Sequence, residues 1–159
     1  MDGEHQFLWR DFPALRLDEL YDLLRLRQEV FVLEQRSFYL DLDGRDQTAR
    51  HLLVLPPPGV AEGLLGTLRL LPPPRQAEDT VWIGRVALAR HARGRGLGAR
   101  MMQTAMTEAG RLYGPAPLAL SAQAHQQPFY RKFGFSAFGK PYDDGGIQHV
   151  DMRKENHDI

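Results

Sequence analysis

The spacing of apolar residues at the start of the chain predicts a strand followed by a long helix. Residues 5–12 have the length and apolar content of a strand. Residues 17–35 then carry apolar residues at helical spacing, with Asp18 as the expected N-cap. The positions expected to face inward are Leu20, Leu23, Leu24 and Phe31. The acidic stretch 36–48 has no such period, and we expect it to be irregular.

Prolines and glycines divide the middle of the chain into three further strands. Two apolar runs, 50–55 and 63–71, flank a turn that begins at Pro56-Pro57-Pro58-Gly59, which predicts a hairpin. Pro72-Pro73-Pro74 ends the second run. Residues 81–88 are apolar and partly β-branched, which predicts another strand.

The second half of the chain alternates helices and strands. The helix that begins at residue 97 has apolar residues at the spacing of one face, namely Leu97, Met101, Ala105, Ala109 and Leu112. Residues 117–121 are strand-like, a short helix follows, and 136–153 form one or two closing strands. This order predicts an α/β fold with a central mixed, partly antiparallel sheet flanked by helices. Because there is no repeat or interdomain linker, residues 1–159 are expected to form a single domain.

The composition argues against several classes of function. The formal net charge is +0, whereas a nucleic-acid-binding protein is expected to carry a basic face. The chain has no cysteine, which excludes disulfides, thiolate zinc sites and a cysteine nucleophile. The N-terminus lacks the features of a signal peptide, and no apolar run approaches the ~18 residues of a membrane span. We therefore expect a cytoplasmic protein without nucleic-acid or membrane partners.

A glycine-rich turn lies between the strand 81–88 and the helix that begins at residue 97. It reads Arg93-Gly94-Arg95-Gly96-Leu97-Gly98. Glycines allow backbone N–H groups to approach an anion closely, and a helix N-terminus adds unsatisfied donors and a positive dipole end. Arginine side chains suit phosphate oxygens. The turn matches neither the dinucleotide fingerprint nor the P-loop, so it predicts a phosphate-binding loop of another kind.

A second motif at a suitable distance shows which family this loop resembles. R-x-x-G-x-G at residues 93–98 and Phe129-Tyr130-Arg131-Lys132-Phe133-Gly134-Phe135 resemble the two motifs of the GNAT (GCN5-related) N-acetyltransferases. The segments 27–35, 39–46, 83–86, 122–125 and 144–149 resemble the ElaA-type subgroup of that family. The resemblance spans most of the chain and implies the GNAT fold, acetyltransferase activity and acetyl-CoA as co-substrate.

The resemblance also implies which residues hold acetyl-CoA. The cofactor is expected along the strand at Val86, Ala87 and Leu88, through backbone hydrogen bonds. Its pyrophosphate is expected at the loop that contains Arg93, Gly94, Arg95, Gly96, Leu97, Gly98 and Ala99. Many members of the family have an asparagine before the Phe-Tyr pair, and here Gln123 stands in that place with a longer amide arm.

Acetyl transfer to an amine requires a proton donor for the leaving thiolate and a base for the amine. The family motif makes Tyr130 the expected donor, since a phenol can protonate a thiolate of similar basicity. His125 is the candidate base, because it follows the strand 117–121 and precedes the helix of Tyr130. His149, Glu34 and the acidic stretch are the rival bases.

The acidic stretch and three arginines have two interpretations. Asp41, Asp43 and Asp46 form either a solvated turn or a rim that attracts a cationic acceptor. Their D-x-D-G-x-D pattern lacks the remaining ligands of a calcium loop, so we expect no metal. Arg27 and Arg85, together with Arg69, lie in apolar segments, and a buried guanidinium is costly unless it is paired. These arginines and aspartates either contact the substrate or form one structural Arg/Asp network. His149 is a further candidate for contact with the substrate.

The identity of the acceptor and the exact chemistry stay open. The acceptor is expected to be a small-molecule or peptide amine, and a homodimer is compatible with the family. One alternative comes from three motifs of the first half of the chain: R-x-x-V-F at residues 27–31, D-x-D-x-x-D at 41–46 and G-x-x-R-L-L-P at 66–72. They resemble motifs of the acyl-homoserine-lactone synthases, enzymes that use acyl carrier protein and S-adenosylmethionine. Another is an acyl-CoA-binding module that has lost its catalytic activity.

Overall fold

Seven strands form one sheet in the computed structural model, which describes residues 4–73 and 79–155. In chain order they are β1 (Gln6–Asp11), β2 (Arg50–Leu55), β3 (Gly66–Leu71), β4 (Val81–Leu88), β5 (Leu118–Gln123), β6 (Ser136–Asp144) and β7 (Ile147–Lys154). Their order across the sheet is β1-β2-β3-β4-β5-β7-β6. The pair β4–β5 is parallel and the other pairs are antiparallel, as expected for a mixed sheet. Pro74, part of the predicted strand end, lies outside the described residues.

Within the described ranges, three α-helices flank the sheet: α1 (Leu17–Arg27), α2 (Leu97–Tyr113) and α3 (Gln127–Arg131). The predicted first helix is longer than α1 because the chain continues as a π-helical segment, Gln28–Glu34. The N-cap of α1 is Arg16, and its backbone N–H donates to the Glu19 carboxylate at 3.0 Å. The prediction of Asp18 as N-cap is therefore wrong, and Asp18 lies inside the first turn.

The apolar face predicted for α2 packs against the sheet. Leu97, Met101, Ala105 and Ala109 are at most 1% exposed and belong to the main hydrophobic core. Leu112, which was expected on the same face, is 38% exposed, and in this last turn of the helix Tyr113 packs against the core instead. No helix in the described ranges is long and apolar enough to cross a membrane.

The strands β4 and β5 separate after a short paired stretch, and this separation opens the sheet. They pair only from Val81–Leu118 to Ile83–Leu120. Beyond that point a β-bulge interrupts β4: Thr67 pairs with Ala87 and Arg69 with Gly84, so two residues of β4 oppose Leu68. Arg85 lies in this bulge with φ of 51°, a conformation that a residue with a side chain adopts at a cost of about 1–2 kcal/mol. The two strands thus diverge beyond Ile83 and Leu120.

Candidate active site

Two depressions meet where β4 and β5 separate. The first, which we call the β4–β5 cleft, is lined by residues of both strands together with Tyr39, Asp144 and His149. The second, the loop groove, runs from the same place towards Arg93 and Gly98. Five residues line both depressions: Gln35, Val86, Gln123, Gln126 and Tyr130. A ligand that fills the loop groove therefore reaches the β4–β5 cleft at these residues.

The glycine loop has the backbone geometry of an anion-binding turn. Gly94 and Gly96 have φ of 81° and 75°, which favours glycine at both positions. Gly96 is the N-cap of α2, so the N–H groups of Leu97, Gly98 and Ala99 have no acceptor within the helix. These donors, at the positive end of a long helix, suit an anionic group such as a pyrophosphate.

The side chains of the loop arginines are already paired, which modifies the prediction that they supply charge for phosphate. Arg93 forms a bidentate pair with Glu34 at 2.6 and 3.0 Å and also donates to the carbonyl of Leu88. Arg95 donates to Glu62 at 3.3 Å. The backbone N–H of Arg93 donates to the Arg90 carbonyl, so it is occupied as well. Arg93 thus fastens the loop to the end of the π-helical segment.

The β4 residues predicted to hold the cofactor divide into two groups. Val86 and Leu88 line the loop groove, whereas the Ala87 side chain is 1% exposed and packs in the core. Ala87 can therefore contribute only backbone groups to a ligand. Gln123, at the end of β5, lines both depressions and can present its amide to either.

Tyr130 lies where the cleft and the groove meet. It is 6% exposed and packs edge-on against Phe129 and Phe135. Burial raises its pKa to about 12, because the ionised phenolate would lose solvation among these rings. The phenol therefore stays protonated across the neutral range and can act as a proton donor at this position.

The two candidate histidines lie on different sides of this junction. His125 is exposed and lines only the loop groove. His149 lines the β4–β5 cleft, and its Nδ1 is 2.7 Å from the carbonyl oxygen of Ile147. A carbonyl can only accept, so Nδ1 carries a proton, and in the neutral ring Nε2 keeps a lone pair. Glu34, the third candidate, is paired with Arg93, whose hydrogen bond lowers the pKa of that carboxylate.

The acidic stretch and the three arginines form a closed ring of alternating charges, which we call the Arg–Asp ring. Each arginine bridges two aspartates. The distances between charged groups are 2.8 Å for Arg27–Asp41, 2.7 Å for Arg27–Asp46, 2.8 Å for Arg69–Asp46, 2.6 Å for Arg69–Asp43, 3.3 Å for Arg85–Asp43 and 2.7 Å for Arg85–Asp41. The ring is neutral as a whole, and it connects the end of α1 with β3 and with the bulge of β4.

Burial in the ring favours the second of the two interpretations, a structural network, over contact with the substrate. Arg27 and Asp46 are 1% and 6% exposed, which puts them out of reach of a molecule in the cleft. The carboxylates of Asp41 and Asp43 are directed to arginines. Arg85 is the ring member that lines the β4–β5 cleft. The ring thus holds the bulge that shapes the cleft, and Arg85 alone has access to a substrate there.

The Arg–Asp ring predicts a specific loss of stability in acid. The Arg69 hydrogen bond lowers the pKa of Asp43 well below its usual value. For Asp46, burial alone would raise the pKa, but Arg27 and then Arg69 outweigh it and lower the pKa. A lowered pKa adds stability above the unfolded pKa of ~3.9, and this stability is lost as the pH falls below it. Urea unfolding from pH 6 to pH 2 should show this fall, and it should be smaller in Asp43→Asn. If the free energy of unfolding falls equally with pH in the wild type and in Asp43→Asn, the acid sensitivity does not come from Asp43 in the Arg–Asp ring.

Several cleft residues were not identified from the sequence. Ser121 on β5 and Asp144 on β6 both line the β4–β5 cleft, and so does Tyr39. The Tyr142 hydroxyl lies between Ser121 and Asp151, within hydrogen-bonding distance of both. The alternation of apolar residues with Ser121 and Gln123 along β5 was the available signal, because it places two polar side chains on one face.

Comparisons with known proteins agree with this architecture. Residues 75–156 match the family model of the acetyltransferase (GNAT) domain. A UPF0039 protein of Synechocystis sp. is 37% identical over 150 residues, which cover 94% of each chain. The crystal structure of an acyl-CoA N-acyltransferase from Pseudomonas aeruginosa is 40% identical with a TM-score of 0.87 and covers 95% of this chain and 99% of that one. Escherichia coli ElaA is 33% identical with a TM-score of 0.86 and the same coverage.

The fold is accordingly that of the acyl-CoA N-acyltransferases. The chain belongs to the GNAT acetyltransferase family and, within it, to the ElaA-type subgroup. The family and fold inferred from the two sequence motifs are confirmed.

Proposed function

We propose that the protein is an N-acetyltransferase that moves the acetyl group of acetyl-CoA directly to a primary amine. The observation that carries this proposal is the junction at Tyr130, where the groove below the glycine loop meets the β4–β5 cleft. The groove ends at three unsatisfied N–H groups suited to the pyrophosphate, and the cleft is open for an acceptor. The thioester of acetyl-CoA would then lie at the residues that both depressions share.

The residues at the junction can perform the proton transfers of a direct acetyl transfer. The amine nitrogen attacks the thioester carbonyl carbon, the C–S bond breaks, and the thiolate takes a proton from the Tyr130 hydroxyl. The surplus proton of the amine passes to a base. His149 fits this role better than His125, because it lines the cleft and has Nε2 available. No step needs a covalent enzyme intermediate, in keeping with the absence of cysteine.

Thermal unfolding with and without acetyl-CoA tests the cofactor. A ligand at a hundred times its dissociation constant stabilises by about 2.7 kcal/mol, which raises the melting temperature of a chain of this size by about 5–10 °C. We expect this shift in the wild type and its loss in Gly96→Asp, which puts a carboxylate beside the pyrophosphate. A shift with S-adenosylmethionine alone would contradict the proposal and favour the lactone-synthase alternative.

Gly59→Asp is the matched control for this experiment. Gly59 has φ of 86°, compared with 75° for Gly96, and a Cβ at either position meets no atom within 4 Å. The two substitutions therefore add the same charge and a similar backbone strain, but Gly59 lies in the turn after β2, outside the loop groove. The acetyl-CoA shift should persist in Gly59→Asp. Its loss there too would mean that strain, and not a charge beside the cofactor, explains the result.

A further inference from the structure

A set of polar side chains shares one face of the sheet beside the β4–β5 cleft. Ser121 pairs with Asp151 across β5–β7, and Gln123 pairs with His149. On the other side of β7, His149 pairs with Tyr142. Cross-strand partners and residues two apart on a strand lie on the same face. Of this group, Ser121, Gln123 and His149 line the cleft, while Asp151 and Tyr142 lie behind Ser121.

The hydrogen bonds from Asp151 to Ser121 have a fixed direction. The Tyr142 hydroxyl is 2.6 Å from Oδ1 of Asp151, and a carboxylate can only accept, so Tyr142 donates its single proton there. The Tyr142 oxygen can then only accept from the Ser121 hydroxyl, with which it is in close contact. The proton of Ser121 is thus committed to Tyr142. What Ser121 presents to the cleft is an oxygen with lone pairs.

Ser121 is also at the correct place to contact an acceptor. The last paired residues of β4 and β5 are Ile83 and Leu120, so Ser121 is the first residue of β5 beyond the separation. Val86 and Tyr130, which line the cleft together with Ser121, also line the loop groove. The thioester, in the proposed function, would lie beside these residues. An oxygen at this position faces the incoming nucleophile.

The charge of the cleft favours a cation. The Arg–Asp ring is neutral as a whole, so Arg85 and the aspartates that pair with it add no net charge to the cleft. Asp144 adds a carboxylate to the cleft lining, and it lies on the same face as Tyr142 two residues further along β6. The proposed role of His149 as base requires its neutral form, and with that form the charged groups described at the cleft sum to a negative charge. An anionic group on the acceptor, close to its amine, would meet this carboxylate.

We propose that this cleft binds its acceptor as the ammonium ion, with Ser121 accepting one N–H, Asp144 balancing the charge, and Tyr142 and Asp151 positioning Ser121. The inference rests on the proposed function and names the acceptor class: a primary ammonium without a neighbouring carboxylate. The bound ammonium gives one proton, the surplus proton of the proposed reaction, to Nε2 of His149 before the nitrogen attacks the thioester. The second proton that the nitrogen loses, after the attack, restores the Tyr130 hydroxyl that has protonated the thiolate. Tyr142 and Asp151 are positioning residues, since neither is required to touch the acceptor.

The pH dependence of the acceptor KM tests which form of the amine is bound. A panel of alkylamines, diamines, amino-acid amides and a lysine peptide is assayed with acetyl-CoA, and CoA release is followed through its thiol. For the best acceptor among the alkylamines and the lysine peptide, whose ammonium form dominates over this range, KM in total amine should change less than twofold from pH 7.5 to 9. The neutral form of an amine with a pKa of ~10.4 increases about tenfold per pH unit in this range. A KM that falls tenfold per pH unit would therefore overturn the proposal.

Substitutions then test the subsite itself. Ser121→Ala and Tyr142→Phe should each raise the KM of the amine about tenfold and leave the KM of acetyl-CoA within twofold. In Tyr142→Phe the phenyl ring still packs on His149, so the packing of the proposed base is preserved. Asp144→Asn should raise the amine KM, whereas Asp143→Asn should not. Asp143 is the exposed neighbour on the opposite face of β6, so it is the matched control for the charge.

The outcomes separate this inference from the function on which it rests. An unchanged amine KM in Ser121→Ala and Tyr142→Phe, with active enzyme, would overturn the ammonium subsite and leave the acetyltransferase in place. If acetyl-CoA raises the melting temperature but no amine in the panel releases CoA, the proposed function fails and the ammonium subsite fails with it.

Discussion

Replacing Asp46 by asparagine is expected to lower the free energy of unfolding by about 3–5 kcal/mol, because it removes one partner from a buried network of charges. Asp46 is 6% exposed and accepts from Arg27 at 2.7 Å and from Arg69 at 2.8 Å. In Asp46→Asn, both guanidinium groups lose a carboxylate while they remain buried. Urea unfolding at pH 7 measures the difference. Since small domains are stable by about 5–15 kcal/mol, this single change removes a large fraction of the total.

Asp18→Asn is the control for this prediction. It makes the same chemical change in an ion pair with Arg16, whose side chain is 72% exposed while that of Asp18 is 63% exposed. Exposed pairs contribute at most about 1 kcal/mol, and the loss should stay within that value. Similar losses in the two variants would mean that the Arg–Asp ring is no more important for stability than a surface pair.

The strands and α2 could be predicted from the sequence because their signals are local. Runs such as 50–55 and 81–88 are apolar and bounded by turns, and they became β2 and β4 with the same limits. The end of the first helix was predicted less well. The change from α-helix to π-helix at Gln28 leaves no trace in a pattern of apolar spacing. The N-cap was misplaced because Glu19, and not a side chain at the cap, accepts the Arg16 N–H.

The candidate site was harder to predict, because its chemistry depends on contacts between residues that are far apart in the chain. The spacing of Asp41, Asp43 and Asp46 allowed both a substrate rim and a structural network. Only the fold brings Asp43 to Arg69, 26 residues away. The two histidines show the same limit. His125 is close to Tyr130 in sequence but lines only the loop groove, whereas the antiparallel return of β7 brings His149 to the cleft.

Tyr130→Phe is expected to lower kcat at least about 100-fold, because general acid catalysis contributes roughly 10²–10⁴ to a rate. The substitution keeps the ring that packs against Phe129 and Phe135, so the fold should be preserved. The melting-temperature shift with acetyl-CoA should therefore remain while CoA release nearly stops. Burial raises the pKa of Tyr130 to about 12, so the wild-type donor is protonated throughout pH 7–10. The activity ratio of wild type to variant should be constant over that range.

Tyr113→Phe separates the catalytic effect from the loss of a half-buried hydroxyl. Tyr113 ends α2, and burial also raises the pKa of its phenol, but it lines neither the loop groove nor the β4–β5 cleft. Removal of the Tyr113 hydroxyl should change kcat less than twofold. An unchanged rate in Tyr130→Phe would remove this residue from the chemistry. If the proton donor instead lost its proton near pH 9, the activity ratio of wild type to Tyr130→Phe would fall across the alkaline range. That result would mean that a different acid acts at the junction of the two depressions.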